Sequence, residues 1–264
     1  MATVIEADEG MSVGRVFSRG FGVIADNPVT VLGIAFLFGA VPSVLISWLQ
    51  QSVAATATDR FQTIGSFGLG VASMLVSLVI QALVQGSLVR ATLAYARGER
   101  ATLGQCASAS LSVILPLIGL AILMGLGIGI GLMLLFVPGV ILFVMWSVAS
   151  PALVAERTGV FAAFGRSREL TRGARWRVFG VEVIMLVVYY VIAAIVGAVI
   201  YATVGFNLGS IAAGGGLPLS WILATAVTST LVSTVWSTVQ SSLYVELRNW
   251  KEGLPEQALE DIFA

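Results

Sequence analysis

The sequence predicts an all-α, polytopic membrane protein of about six transmembrane helices arranged as three hairpins, and three observations predict it. Of its 264 residues 58% are hydrophobic and only 11% charged, with a mean hydropathy of +0.97. A water-facing domain carries about a quarter charged residues to keep its surface wetted. Apolar runs recur at the roughly 20-residue length that crosses a bilayer. The basic residues, all but Lys251 arginine, gather in alternate loops.

The elements follow in order. The tail 1–10 holds Glu6, Asp8 and Glu9 and lacks the positive start of a cleavable signal peptide, so the N-terminus present is the expected mature one. Met11 to Asp26 sets Val13, Val16, Phe17, Phe21 and Ile24 on one helical face and Arg15, Ser18, Arg19 and Asp26 opposite. That spacing suits a helix in the headgroup layer, apolar face down. A first span runs from Pro28 to Leu49, followed by a loop with Asp59 and Arg60. The second, from about Gly65 to Tyr95, exceeds a membrane thickness and is expected to tilt or to project into the cytoplasm. Thr102 to Leu111 is weakly amphipathic. Leu111 to Pro151 is twice a span, and Phe136-Val137-Pro138-Gly139 at its middle supplies a turn signal, which predicts a tight hairpin of spans three and four. Gly159 to Thr171 sets Val160, Phe161 and Phe164 against Arg166, Glu169 and Arg172. The fifth span is about Val178 to Val204, the sixth about Leu219 to Val245, with the glycine-rich loop Asn207 to Gly216 between them.

Lys and Arg in short loops set orientation. With the N-terminus inside, Arg15, Arg19, Arg90, Arg97, Arg100, Arg157, Arg166, Arg168, Arg172, Arg175, Arg177, Arg248 and Lys251 fall on the cytoplasmic side and only Arg60 outside. Both termini are therefore expected in the cytoplasm, and the membrane is expected to be the bacterial inner membrane.

One membrane domain, 11–250, is expected between the N-terminal tail and a C-terminal tail 251–264. It divides into units of about 11–100, 101–158 and 159–250 that resemble one another. Ser12-Val13-Gly14 with Ser18 and Phe21 recurs ninety residues later as Thr102-Leu103-Gly104 with Ser108 and Leu111. Val13, Phe17, Arg19 and Gly33 recur, offset by 147, as Val160, Phe164, Arg166 and Gly180. Val84-Gln85-Gly86-Ser87-Leu88 with Tyr95 and Gly98 parallels Val239-Gln240-Ser241-Ser242-Leu243 with Trp250 and Gly253. The expectation is a threefold internal repeat, each unit an interfacial helix followed by a transmembrane pair.

The chemistry on offer is limited. There is no histidine, which removes Ser-His and Cys-His nucleophilic pairs. Carboxylates within the spans are too few and scattered for a metal site, and neither a cofactor nor an enzymatic activity is expected. The single cysteine, Cys106, cannot form an intramolecular disulfide. Gly125, Gly127, Gly129 and Gly131 lie inside an apolar span with no preceding strand, so they read as small-residue helix packing rather than a nucleotide loop. A formal net charge of zero points to no nucleic-acid partner.

Two polar features remain. Ser73, Ser77, Gln81 and Gln85 repeat every four residues along the second span, and Thr230, Ser233, Thr234, Ser237, Gln240 and Ser241 cover a broader face of the sixth. Such stripes serve interhelical hydrogen bonding, worth about 0.6 kcal/mol per contact, or line a polar cavity. Ser77, Gln81, Gln85, Glu182, Ser237 and Gln240 are its candidate lining. Glu182, Arg90 and Glu246 stand close enough to the cytoplasmic ends of their spans to pair with neighbouring arginines. Between residues 166 and 177, Arg166, Arg168, Arg172, Arg175 and Arg177 flank a membrane entry point, where each attracts anionic lipid by about 1 kcal/mol. They are the candidate lipid- or anion-binding residues.

The same segment carries a family resemblance. Pro151, Glu156, Gly159, Ala162-Ala163, Arg166-Ser167, Leu170-Thr171-Arg172-Gly173 and Trp176-Arg177 resemble the signature of the membrane domain attached to some bacterial glycerophosphoryl diester phosphodiesterases, and of stand-alone six-helix inner-membrane proteins such as the YciC-like group. The motif spans residues 151–177, while the topology matches over nearly the whole chain. The phosphodiesterase activity in that family resides in a separate soluble barrel that uses histidines and a metal, so the resemblance implies architecture and carries no catalytic residue over.

The expected function is a non-catalytic membrane protein that interacts with lipid, or supports a protein partner or a second copy of itself, through a basic cytoplasmic face. The alternative is a transporter or channel for a small solute through a polar cavity between the repeats.

Overall fold

The computed structural model describes residues 10–56, 62–99, 101–204 and 219–253, and all regular structure among them is helical. The acidic tail, Arg60, Arg100, the loop 207–216 and the C-terminal tail beyond 253 lie outside the described residues. Six helical stretches are long and apolar enough to cross a membrane: Pro28–Gln50, Gly70–Tyr95, Ile114–Leu134, Phe136–Glu156, Arg175–Val199 and Trp221–Glu252. Their outer faces display large apolar side chains, among them Leu126, Ile130, Val187 and Ile195, a surface that water would not tolerate and lipid does. The chain is an all-α polytopic membrane protein.

Helix α1 (Val13–Asp26) buries Val16, Gly20 and Val23, one stripe at helical spacing. Its partner there is protein: a Cβ on Gly20 would stand 3.3 Å from the Val239 backbone of the last helix. The amphipathic face expected to rest on lipid is thus partly welded to the bundle, leaving Phe21 exposed at its edge.

Asn27 ends α1 and Pro28 opens the first span at the position where a missing N–H costs nothing. That span comprises α2 (Pro28–Ile34), a π-helical segment (Ala35–Ala40) and α3 (Val41–Thr56). Pro42 explains the widening. Its ring would strike the carbonyl four residues back, and the wider turn, in which the Val41 amide reaches the Phe36 carbonyl, relieves it. Helix α4 (Gln62–Tyr95) has 34 residues, about 50 Å, against about 30 Å of hydrocarbon. Its last turns bury Leu88, Ala91 and Ala94. A capping box at Thr102 and Gln105 starts α5 (Leu103–Ser112), whose Ser110 hydroxyl donates to the Leu83 carbonyl at 3.0 Å.

Helices α6 (Ile114–Leu134) and α7 (Phe136–Trp146) form the expected tight hairpin, but its turn lies elsewhere. The chain reverses at Leu135 alone, with extended backbone. Pro138 sits in the first turn of α7, where its fixed φ suits a helix, and Gly139 makes the crossing rather than the turn. A Cβ on Gly131 would stand 3.0 Å from the Gly139 Cα. The fourth span then breaks between α7 and α8 (Ala149–Glu156), because Pro151 cannot continue the ladder. The Met145 carbonyl near the break accepts the Ser167 hydroxyl at 2.8 Å.

That hydroxyl belongs to α9 (Val160–Thr171), which buries Ala163, Ser167, Leu170 and Thr171. Gly173, with φ +92, turns the chain into α10 (Arg175–Val204). Helix α11 (Leu219–Glu252) is the post of the bundle, touching α1, α3, α4, α8, α9, α10 and the π-helical segment. Its buried Val239, Leu243, Tyr244 and Leu247 join α1, α7, α9 and α10 side chains in one apolar cluster. The order short helix, span, span occurs three times along the chain.

Candidate functional site

Alternate spans run in opposite senses, so Asp26, Tyr95, Glu156, Arg175 and Glu252 gather at one rim. The contacts between them bear this out. Tyr95 Oη donates to Asp26 Oδ2 at 2.8 Å, and Arg177 Nη1 donates to the Met11 carbonyl at 3.0 Å. Two ion-pair assemblies complete the rim.

The first is centred on Glu246, 4% exposed near the end of α11. Its Oε1 accepts from the Arg15 Nε at 2.8 Å and from the Ser12 amide at 3.2 Å, and Arg19 Nη1 lies 3.7 Å from Oε2. A carboxylate is thereby used to cap and anchor α1. The second is centred on Arg166. Its Nε donates to Glu156 Oε1 at 2.8 Å, its Nη2 donates to Glu252, and Glu169 Oε2 stands 3.5 Å from Nη1. Tyr244 Oη donates to the same Glu156 oxygen at 2.9 Å, and Arg248 Nε donates to Glu252 Oε2 at 2.9 Å. Burial works against the charge on Arg166, and the Glu252 and Glu156 carboxylates outweigh it, holding the guanidinium protonated beyond its ordinary range. This network ties α8, α9 and α11 together.

The five arginines of the 166–177 segment therefore separate into two groups. Arg166 is engaged by carboxylates and Arg177 by a backbone carbonyl. Arg168, Arg172 and Arg175 are exposed, and the ion pairs found among the described residues do not use them. Trp176, next to Arg175, is 86% exposed, and Phe161, in the first turn of α9, is 80% exposed. Guanidinium groups and the Trp176 ring displayed together at a helix entry match the chemistry of the bilayer's headgroup layer, which offers phosphate above and hydrocarbon below.

The polar stripes behave differently from a cavity wall. On α11 the Thr230, Thr238, Ser241 and Ser242 hydroxyls donate to carbonyls four residues back on their own helix, and Ser237 is buried in the same packed face. On α4, Ser77 and Gln81 are exposed and Gln85 is half-buried. Ser77 lines an open cleft of about 270 Å³ with Ser43, Ser47, Gln50 and Ser73, between α3 and α4. The space found between α10 and α11 holds about 10 Å³ and is walled by Met185, Tyr189, Val232 and Trp236, so neither Glu182 nor Gln240 borders it. Of the six candidate lining residues, Glu182 and Gln240 are brought together across α10 and α11. Glu246 pairs with arginine as its position suggested. Glu182 does not: both its oxygens are buried without a hydrogen bond.

Sequence reasoning missed the part played by Glu156, Tyr244 and Glu252. The pair Arg248–Glu252 is visible as an i, i+4 spacing. Nothing local links Glu156 to a helix that begins more than sixty residues later. Among the described residues no three acidic or cysteine side chains converge as metal ligands would.

No curated protein and no solved structure matches the chain. Residues 11–247, which take in every helix from α1 through nearly all of α11, match the family described as “Domain of unknown function (DUF7847)”, and the chain belongs to that family.

Proposed function

We propose that the protein is a non-catalytic component of the bacterial inner membrane that holds anionic lipid headgroups at the α9–α10 corner, with both termini in the cytoplasm. The observation that carries this reading is the division of labour among the arginines. Arg168, Arg172 and Arg175 stay exposed, the last next to the exposed Trp176, while Arg166 and Arg177 maintain the fold around them. Topology alone requires positive charge on the inner rim, and Arg15, Arg19, Arg157 and Arg248 already supply it there. The 151–177 signature, similar to that of the phosphodiesterase membrane domains, accords with a membrane module lacking a barrel of its own. The same reading takes the three units as internal repeats. The parallel residues Gly98 and Gly253 both adopt left-handed backbone, φ +73 and +82, just past α4 and α11.

The test is native mass spectrometry of the full chain released from membranes of mixed phosphatidylglycerol and phosphatidylethanolamine. With R168Q, R172Q and R175Q combined, retention of the anionic lipid should fall on the order of a hundredfold, from about 3 kcal/mol at about 1 kcal/mol per arginine. Retention of the zwitterionic lipid should not change. Equal anionic retention by a normally inserted variant removes the reading, and a change in oligomeric state instead would point to a second copy at this corner.

A further inference from the structure

Glu182 lies on α10 seven residues past Arg175, about 10 Å along the helix and inside the fifth span. It is 5% exposed, and neither carboxylate oxygen has a hydrogen bond. Gln240 of α11 approaches it without meeting hydrogen-bond geometry. Its neighbours along α10, Val178, Val181 and Met185, are buried in the apolar cluster that includes Val144, Val239 and Leu243.

Among the described residues, the elements packed on α10 bring it no counter-charge. Helix α7 contains no charged residue. From α1 come Arg15 and Arg19, both drawn to Glu246. Helix α11 presents Gln240 at this level, and its charged Glu246, Arg248, Lys251 and Glu252 lie further toward the rim. Arg175 and Arg177, on α10 itself, are exposed at its start.

An isolated ionised carboxylate in so apolar a setting loses its hydration with no fixed dipole or counter-ion to replace it, a penalty that remains large even after the surroundings relax. A marginally stable fold does not carry that penalty when adding a proton removes it. A metal cation is a poor substitute: among the described residues no group of carboxylates converges as metal ligands would, and the Thr238, Ser241 and Ser242 hydroxyls of α11 are turned onto their own helix. We propose that Glu182 is an intramembrane proton-binding site: the folded protein holds this carboxyl protonated at neutral pH, and the proton leaves only when α10 parts from α11 and water enters. The proposal does not depend on lipid binding at the α9–α10 corner.

The experiment is infrared difference spectroscopy of the full chain in lipid nanodiscs at pH 7, wild type minus E182Q. The difference should contain the carbonyl stretch of a protonated carboxylic acid and no carboxylate bands. Carboxylate bands at pH 7 overturn the proposal, and so do bands that change when sodium is replaced by choline, which would mark a cation site. The thermal midpoint gives an independent reading. If Glu182 is neutral, E182Q exchanges one neutral polar group for another and the midpoint barely moves. A large rise in E182Q would mean that a buried charge had been removed, and would overturn the proposal. Should E182Q fail to insert, E182L fits the same apolar shell and serves in its place.

Discussion

At Glu246 a buried carboxylate accepts from the Ser12 amide and from the Arg15 guanidinium, so the first turn of α1 is held by a residue 231 positions away from Arg15. Replacing it with Gln keeps the shape and removes the charge on which both bonds draw. A hydrogen bond to a charged group contributes about 1.5–3 kcal/mol. The Arg15 side chain is 45% exposed, which puts the expected loss at the low end, about 1–2 kcal/mol. E246Q should lower the thermal midpoint in detergent and open the 11–27 segment to protease, while E169Q, at the exposed edge of the Arg166 network, should do neither. Unaltered protease protection of α1 in E246Q would show that the apolar stripe alone holds the helix. These residues also mark where sequence reading ended. Glu246 was legible as a pairing group because it stands within a turn of the rim, and the arginine segment was legible as a cluster. Which arginines are spent on structure was not legible, since Arg166 meets Glu252 across 86 residues and Arg177 meets a backbone carbonyl, contacts that no local spacing encodes. Glu182 shows the converse: proximity to basic residues in sequence suggested a partner, and helix geometry turns it away from all of them.

Among elements, the spans were legible because hydrocarbon imposes a length, and their observed ends differ from the expected ones mainly where helix continues past the apolar run, as α11 does to Glu252. The hairpin of α6 and α7 was legible as a hairpin but not in its turn. Pro138-Gly139 has turn chemistry in water. Here, with helix on both sides and no polar residue from Ile114 to Trp146, the chain reverses through one extended leucine and uses the glycine for contact. The four alternating glycines of α6, Gly125 to Gly131, consequently differ. Gly127 and Gly131, four apart, face α7: a Cβ on Gly127 would enter the Trp146 ring, and one on Gly131 would press on the Gly139 backbone. Gly125 and Gly129 have nothing within 4 Å of a Cβ. Gly131→Ala and Gly139→Ala should each cost about 1–3 kcal/mol, the range of overpacking that backbone must absorb. Gly125→Ala and Gly129→Ala should be neutral or slightly stabilising, because Ala is the better helix former. Thermal unfolding in detergent distinguishes the two pairs, and equal effects at all four positions would mean that the hairpin is not closed through this face.

At the scale of the whole molecule, α1, the π-helical segment, α4 and α5 enclose Cys106, which has no exposed surface and is the chain's one cysteine. Burial pushes its thiol above the ordinary range, and Arg90 pulls weakly the other way. The nucleophile is the thiolate, so the folded protein should react slowly with a maleimide, and the reaction should accelerate in the same thermal transition that disperses the bundle. Linkage fixes the sign of the pH effect. Above about pH 8.5 the thiol of an unfolded chain releases its proton, whereas the buried thiol keeps it. Alkali therefore favours the unfolded state until the folded thiol also ionises, and stability should fall as pH rises through that window. C106A lacks the group, so its midpoint should decline less steeply between pH 8 and 10 than that of the wild type, whatever fixed penalty the smaller side chain adds. Parallel slopes, or rapid labelling of the folded wild type, would mean that the first hairpin breathes open around Cys106. In that case the three apolar clusters would not melt as one cooperative unit, and α11, which touches nearly every other helix, would not be enough to couple them.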